Sequence, residues 1–168
     1  RARKLASALE KDGIQNGDVV ATLALNTYRH LEMYYGISGM GAVTHTLNFR
    51  LHPEQAVYII NHAEDKMIFV ELPFVPILEA LQDNLKTVEK YVVLCELEEM
   101  PKTSLKNAIS YEEYIEDGDE NYKWPNLADD AACALCYTSG TTGNPKGVLY
   151  SHKSNIIHAQ ASFTALTI

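Results

Sequence analysis

Apolar residues along the chain fall into blocks of two kinds. In the first kind they recur every three or four positions. Leu5, Ala8 and Leu9 share one face of a helix over residues 1–11. Ala56, Ile59 and Ile60 share the inward face of PEQAVYIINHA, a helix that Pro53 and Glu54 open. In the second kind the apolar run is short and continuous, as in VVATLAL (19–25) and KMIFVE (66–71). Such runs suit strands buried on both faces of a parallel sheet. The two kinds alternate. A helix capped by Asn26 or Thr27 runs to about Ile37, and the glycine turn SGMGAV (38–43) leads into a second strand. FVPILEALQDNL is a helix with Pro76 in its first turn, and KYVVLCEL is a fourth strand. SYEEYIE (110–116) is a short helix, ADDAACALCYT leads into a fifth strand, GVLYSH is a sixth, and SNIIHAQASFTAL (154–166) closes as a helix.

Strand and helix in turn predict an α/β fold, a layered and largely parallel sheet with flanking helices. The 168 residues suffice for one core or part of a larger one. Neither end carries an initiator Met, a signal-peptide pattern or a cap, so we expect residues 1–168 to be a piece of a longer product. A hydrophobic content of 46% points to a packed core rather than disorder. No apolar run approaches the roughly 20 residues of a membrane-spanning helix. A net charge of −8 argues against a nucleic-acid partner. Most of it is local, because residues 96–120 set nine acids against Lys102 and Lys106. The stretch from Leu97 to Pro125 therefore reads as a long, solvated surface connection, pinned to the body by Trp124 and Pro125. Three cysteines make no disulfide framework. Cys133 and Cys136 form a CxxC inside AACALCY, but strand positions three apart face opposite sides. They read as buried thiols in a reducing cytoplasm, not as a metal or redox pair.

One stretch asks for more than packing: YTSGTTGNPKGVLYSH, residues 137–152. It follows a buried strand, and ligands of open α/β sheets collect beyond the carboxyl ends of strands. Glycines let backbone N–H groups turn toward an anion, and Thr138, Ser139, Thr141 and Thr142 add hydroxyls. Lys146 adds a mobile positive charge suited to a polyphosphate, and Pro145 stiffens the end of the loop. The loop is not a Walker A motif, because Pro145 precedes the lysine, Gly147 follows it, and GVLY reads as strand rather than helix. It joins two strands and would form a flap over a nucleotide. Three glycines and no bulky apolar side chain between Tyr137 and Val148 predict that residues 137–147 are mobile without nucleotide. A plain glycine-rich hairpin would need neither the hydroxyls nor the lysine.

YTSGTTGNPKG resembles the phosphate-loop signature of the adenylate-forming superfamily, which includes acyl-CoA synthetases, luciferases and peptide-synthetase adenylation domains. NTYRHLEMYYGISGMGAVTHTLNFRLHPEQAVYIINHAEDKMIFVE (26–71) is similar to that family's early region, with Phe49 where Pro is usual. The wording of NTYRHLE, NHAEDK and CYTSGTTGNPKGVLYSH is nearest the fatty-acyl-CoA ligase branch, including medium-chain and methylmercaptopropionate-CoA ligases. The resemblance covers the whole chain and implies a fragment, residues 1–168, of the large N-terminal AMP-binding domain. It implies a parent enzyme that joins a fatty acid or related carboxylic acid to ATP, releases pyrophosphate, and passes the acyl group to coenzyme A. Thr138, Ser139, Gly140, Thr141, Thr142 and Gly143 would then cradle the β- and γ-phosphates, Lys146 would neutralise their charge, and Thr138 would touch Mg²⁺. The same resemblance implies a cytoplasmic enzyme and admits a homodimer of the full-length protein. The adenine-binding and ribose-binding segments and the adenylating lysine of the family are absent from residues 1–168, so no catalytic residue is assigned and the chain alone is expected to be inactive. An aryl-CoA ligase, a luciferase-like enzyme or a peptide-synthetase domain is the competing reading.

Other polar residues read as structural. His30, His45, His52 and His62 show no metal spacing, and His152 and His158 lie six apart, off one helical face. His152 stands where a helix begins and is expected to hydrogen-bond there. Asn48 and Arg50 are expected to fix the turn between strand and helix.

Overall fold

The computed structural model describes residues 1–138 and 144–166. The elements run α1 (Ala2–Lys11), β1 (Val19–Leu23), α2 (Tyr28–Gly39), β2 (Val43–Thr46), α3 (Pro53–Ala63), β3 (Met67–Val70) and α4 (Val75–Leu81). They continue with β4 (Lys90–Val93), β5 (Ala108–Ser110), α5 (Tyr111–Glu116), β6 (Ala132–Thr138), β7 (Lys146–Ser151) and α6 (His152–Leu166). The described strands form one sheet in the order β5-β4-β3-β1-β2-β6-β7. Every neighbouring pair is parallel except β6 and β7, which pair antiparallel.

The continuous apolar runs become the central strands because both faces of the sheet are covered. On one face α1, α2 and α5 bury Leu5, Leu9, Met33, Ile37, Tyr111 and Ile115 against Val20, Phe69 and Val92. On the other, α3 and α4 bury Ile59, Ile60, Val75 and Leu78 against Ala21, Ile68, Val70 and Val93. The alternation within each strand decides which face a residue serves. Of the two expected caps for α2 the chain uses Thr27, whose side-chain oxygen accepts from the His30 N–H. Asn48 fixes its turn as expected by accepting from the Arg50 N–H at 2.9 Å.

The acidic stretch departs from its expectation. It is not a solvated excursion: it contributes the edge strand β5, which pairs with β4, and the helix α5, whose Tyr111 is fully buried. Its charge is partly used in place. Arg29 bonds Glu96 at 2.6 Å and Glu112 at 3.0 Å, and Arg1 makes a forked pair with Glu112 at 2.8 and 2.9 Å. These partners come from α2 and the chain start, so the acids balance bases that are distant in sequence. Trp124 does pin the connection. Its indole lies so close to Gly39 in α2 that an added Cβ there would sit 2.8 Å from the ring.

Candidate functional site

The site predicted from the loop is built on β6 and β7. β6 is held on one side by β2, through the pairs Thr44↔Ala134 and His45↔Leu135. On its other side the antiparallel ladder to β7 runs from Ala132↔Ser151 to Tyr137↔Gly147 and Thr138↔Lys146. A bulge lies between Ala132 and Ala134. The Cys133 carbonyl in that bulge accepts from the Ser38 hydroxyl at 2.8 Å, which ties the base of the hairpin to α2. Cys133 Sγ donates to the Tyr150 carbonyl, whereas Cys136 Sγ contacts the Thr46 hydroxyl. The two thiols thus have separate partners.

Because β6 is parallel to the body of the sheet, its last residue, Thr138, opens at the carboxyl edge. That edge is divided. The chain leaves β1 for α2 on one face and leaves its neighbours β2 and β3 for α3 and α4 on the other, so connections diverge on both sides of β1, and the crevice nearer the hairpin lies between β1 and β2. The hairpin stands beside it, one strand away.

Thr138 and Lys146 are cross-strand partners in the ladder pair nearest the turn, and both are exposed. The register therefore sets a threonine opposite a lysine that is eight positions away in sequence. Ser139, Gly140, Thr141, Thr142 and Gly143 lie outside the described residues. Of the segment 137–147 expected to be mobile, Tyr137, Thr138, Lys146 and Gly147 belong to the ladder, and that expectation for residues 139–143 lies outside the described residues. Among the described residues, no three His, Cys, Asp or Glu side chains converge as a metal site. Thr138 offers a single hydroxyl oxygen. That fits Mg²⁺ arriving on a nucleotide, because this ion keeps its waters and takes most of its ligands from substrate phosphates.

Two side-chain clusters next to the hairpin were not singled out from sequence. Asp65, in the turn before β3, places its carboxylate oxygens 2.8 and 3.0 Å from His45 Nδ1, and both residues are 0% exposed. Burial raises the Asp65 carboxyl above its ordinary value, against the opposing pull of the His45 bond. His45 Nε2 is buried with no hydrogen-bond partner among the described residues, and the imidazole lies 5.2 Å from the Tyr137 ring. The Tyr137 hydroxyl in turn lies 2.6 Å from Nδ1 of His62 on α3. Burial, with Asp65 adding to it, pushes the Tyr137 phenol up and keeps its proton in place. The available signal was a histidine inside VTHT, a strand with sheet neighbours on both sides, where a titratable group must find a partner. His152 departs from expectation. The start of α6 is held instead by Ser151 and Ser154, each accepting from the other's N–H, while His152 Nε2 is buried without a partner among the described residues.

The profile of AMP-binding enzymes matches residues 1–167. The chain belongs to the AMP-binding enzyme family. Within this family it is 48% identical over 163 residues to the 3-methylmercaptopropionyl-CoA ligase of Ruegeria pomeroyi, covering 97% of this chain and 30% of that protein. It is also 48% identical over 162 residues to the medium-chain-fatty-acid–CoA ligase of Ectopseudomonas oleovorans, covering 96% and 30% respectively. The AMP-binding chain thus spans about 30% of the length of the curated relatives it matches. Its fold matches the crystal structure of an anthranilate CoA ligase in complex with anthranoyl-AMP, with a TM-score of 0.86 at 28% identity over 95% of this chain and 30% of that one. It matches a Mycobacterium tuberculosis fatty acyl CoA synthetase with a TM-score of 0.79 at 26% identity, over 98% and 30%. These matches bear out the family and the layered α/β fold expected from the loop and the early region.

Proposed function

We propose that this chain is the phosphate-loop part of an ATP-dependent fatty-acyl-CoA ligase. The observation that carries the reading is the pairing of Thr138 with Lys146 at the stem of a hydroxyl-rich loop, in a chain 48% identical to two acyl-CoA ligases. In the full-length protein the carboxylate oxygen of the acid attacks the α-phosphorus of ATP, and the bond to the β-phosphate oxygen breaks. Pyrophosphate leaves and an acyl-adenylate remains. The thiolate of coenzyme A then attacks the acyl carbon, and AMP leaves.

This chain's own contribution is to the first step. Thr138, Ser139, Gly140, Thr141, Thr142 and Gly143 bind the β- and γ-phosphates through hydroxyls and backbone N–H groups. The Lys146 ammonium neutralises charge that grows on them as pyrophosphate departs. Thr138 supplies one oxygen toward the Mg²⁺ that accompanies the nucleotide. Neither Thr138 nor Lys146 touches the reacting atoms in this reading, so neither is assigned as catalytic. No described helix is long and apolar enough to cross a membrane.

Acid-dependent pyrophosphate release by the full-length protein, across a panel of acids, tests the reading. Medium or long fatty acids should support it, and silence with every acid would remove it. The fold match to an anthranilate CoA ligase supports an aryl acid as the second reading, at 28% identity against 48%. Preference for aromatic acids in the same panel would favour it. Thr141→Ala with Thr142→Ala should slow acyl-adenylate formation by about two to four orders of magnitude, as expected for two lost charge-assisted bonds. Acid affinity should stay unchanged, and the reverse pattern would place the loop at the wrong end of the site.

A further inference from the structure

The described part of β6 ends in three residues, Cys136, Tyr137 and Thr138, that project past its last ladder pair with β2, His45↔Leu135. Beyond that pair, the described backbone bonding of the stem comes from β7, itself an edge strand. A two-stranded ribbon without further support is marginal in water. The loop proposed to grip phosphate starts one residue after Tyr137, so any sway of the ribbon is carried into it.

Side chains supply what the ladder lacks. The Tyr137 hydroxyl meets His62 Nδ1 at 2.6 Å, across 75 positions of sequence, and joins β6 to α3. The phenol ring is flanked by two imidazoles, with His62 meeting it edge-on at 5.8 Å. His45 lies at 5.2 Å, fixed in turn by the buried Asp65 carboxylate. Gly147, the cross-strand partner of Tyr137, leaves room for the ring, since a Cβ there would sit 3.2 Å from Tyr137 Cζ. His62 is steadied from its other face by Tyr58, stacked at 5.3 Å and 28°.

We propose that Tyr137 is a positioning residue, clasped to His62 so that the entry of the phosphate loop is held at a fixed place over α3. The clasp rests on the reading of the loop as a polyphosphate-binding loop. It acts through the loop, so it governs how well the nucleotide is engaged and leaves the acid untouched.

The test uses the full-length protein with Tyr137→Phe, His62→Ala, His62→Asn and the double variant Tyr137→Phe/His62→Ala. Phenylalanine keeps the ring, and Asn places a polar atom near the position of Nδ1. Tyr137→Phe and His62→Ala should each lower kcat/KM for ATP roughly 3- to 10-fold, the weight of one net hydrogen bond. KM for the acid should not move. The double variant should be no worse than either single one, and His62→Asn should recover most of the loss. Multiplying losses in the double variant, a shift in acid KM instead of the ATP term, or no loss at all would overturn the clasp. The ligase reading is judged separately, by whether the wild-type protein releases pyrophosphate with any acid. If it does not, that reading falls, and the clasp is decided by MgATP affinity measured calorimetrically in the same four variants. The same pattern in Kd upholds it, and equal Kd values throughout overturn it.

Discussion

Asp65 and His45 show what a buried pair demands at the scale of single residues. Both are 0% exposed, so removing one partner leaves the other polar and unpaired in the core. Asp65→Ala should cost about 1–3 kcal/mol of stability, measured by urea denaturation, and an unchanged stability would show the pair to be dispensable. The pair also has a pH signature. Burial raises the Asp65 carboxyl above its ordinary 3.8, so the folded chain holds that proton more tightly than the unfolded one. The stability it contributes is complete below the unfolded value and drains away as pH rises through the folded one. Asp65→Asn cannot titrate. The wild type's stability relative to that variant should therefore fall as pH rises, and a difference that climbs with pH would contradict the assignment. Little of this was legible in the sequence. Thr138 and Lys146 stood out because loop chemistry is local, whereas His45 and Asp65 become partners only once β2 and β3 share a sheet.

Elements were read well where their signals are local. Pro53 opens α3 and Thr27 caps α2, as the residue types dictate. β5 escaped because three residues, Ala108–Ser110, are too few to show a period, and their strand character comes from pairing with β4. The end of α3 carries a cost that its sequence does not advertise. Glu64 sits in the left-handed region at φ 58°, and its negative charge lies at the negative end of a helix dipole. Glu64→Gly should stabilise the chain by roughly 0.5–1 kcal/mol, because relief of both penalties outweighs the entropy that glycine gains when unfolded. Thermal unfolding reads the change, and a lowered midpoint would mean that the carboxylate has a partner that matters more.

At the scale of the whole molecule, the long connection from α5 to β6 is held where Trp124 covers Gly39. A methyl group at Gly39 would meet the indole at 2.8 Å, so Gly39→Ala should push the ring outward and cost about 1–3 kcal/mol. Trp124 is the sole tryptophan of the chain, so its fluorescence reports the displacement directly as a red shift. Unchanged emission would show that the connection is held elsewhere. The sequence did foretell that Trp124 anchors this segment. It could not foretell that the acidic stretch just before it adds a strand and buries Tyr111, since those contacts depend on partners in α1, α2 and β4. The placement of β6 beside β2 has a consequence in time. Thr46 and Cys136 touch although 90 positions separate them. At ribosomal speeds of about 5–20 residues per second, β2 waits on the order of 5–20 seconds for its second neighbour during synthesis. Throughout that interval it presents an open edge, the position from which chains pair with the wrong partners. Its sequence, VTHT, suits the wait: three of its four side chains are polar and offer little to a passing hydrophobic strand.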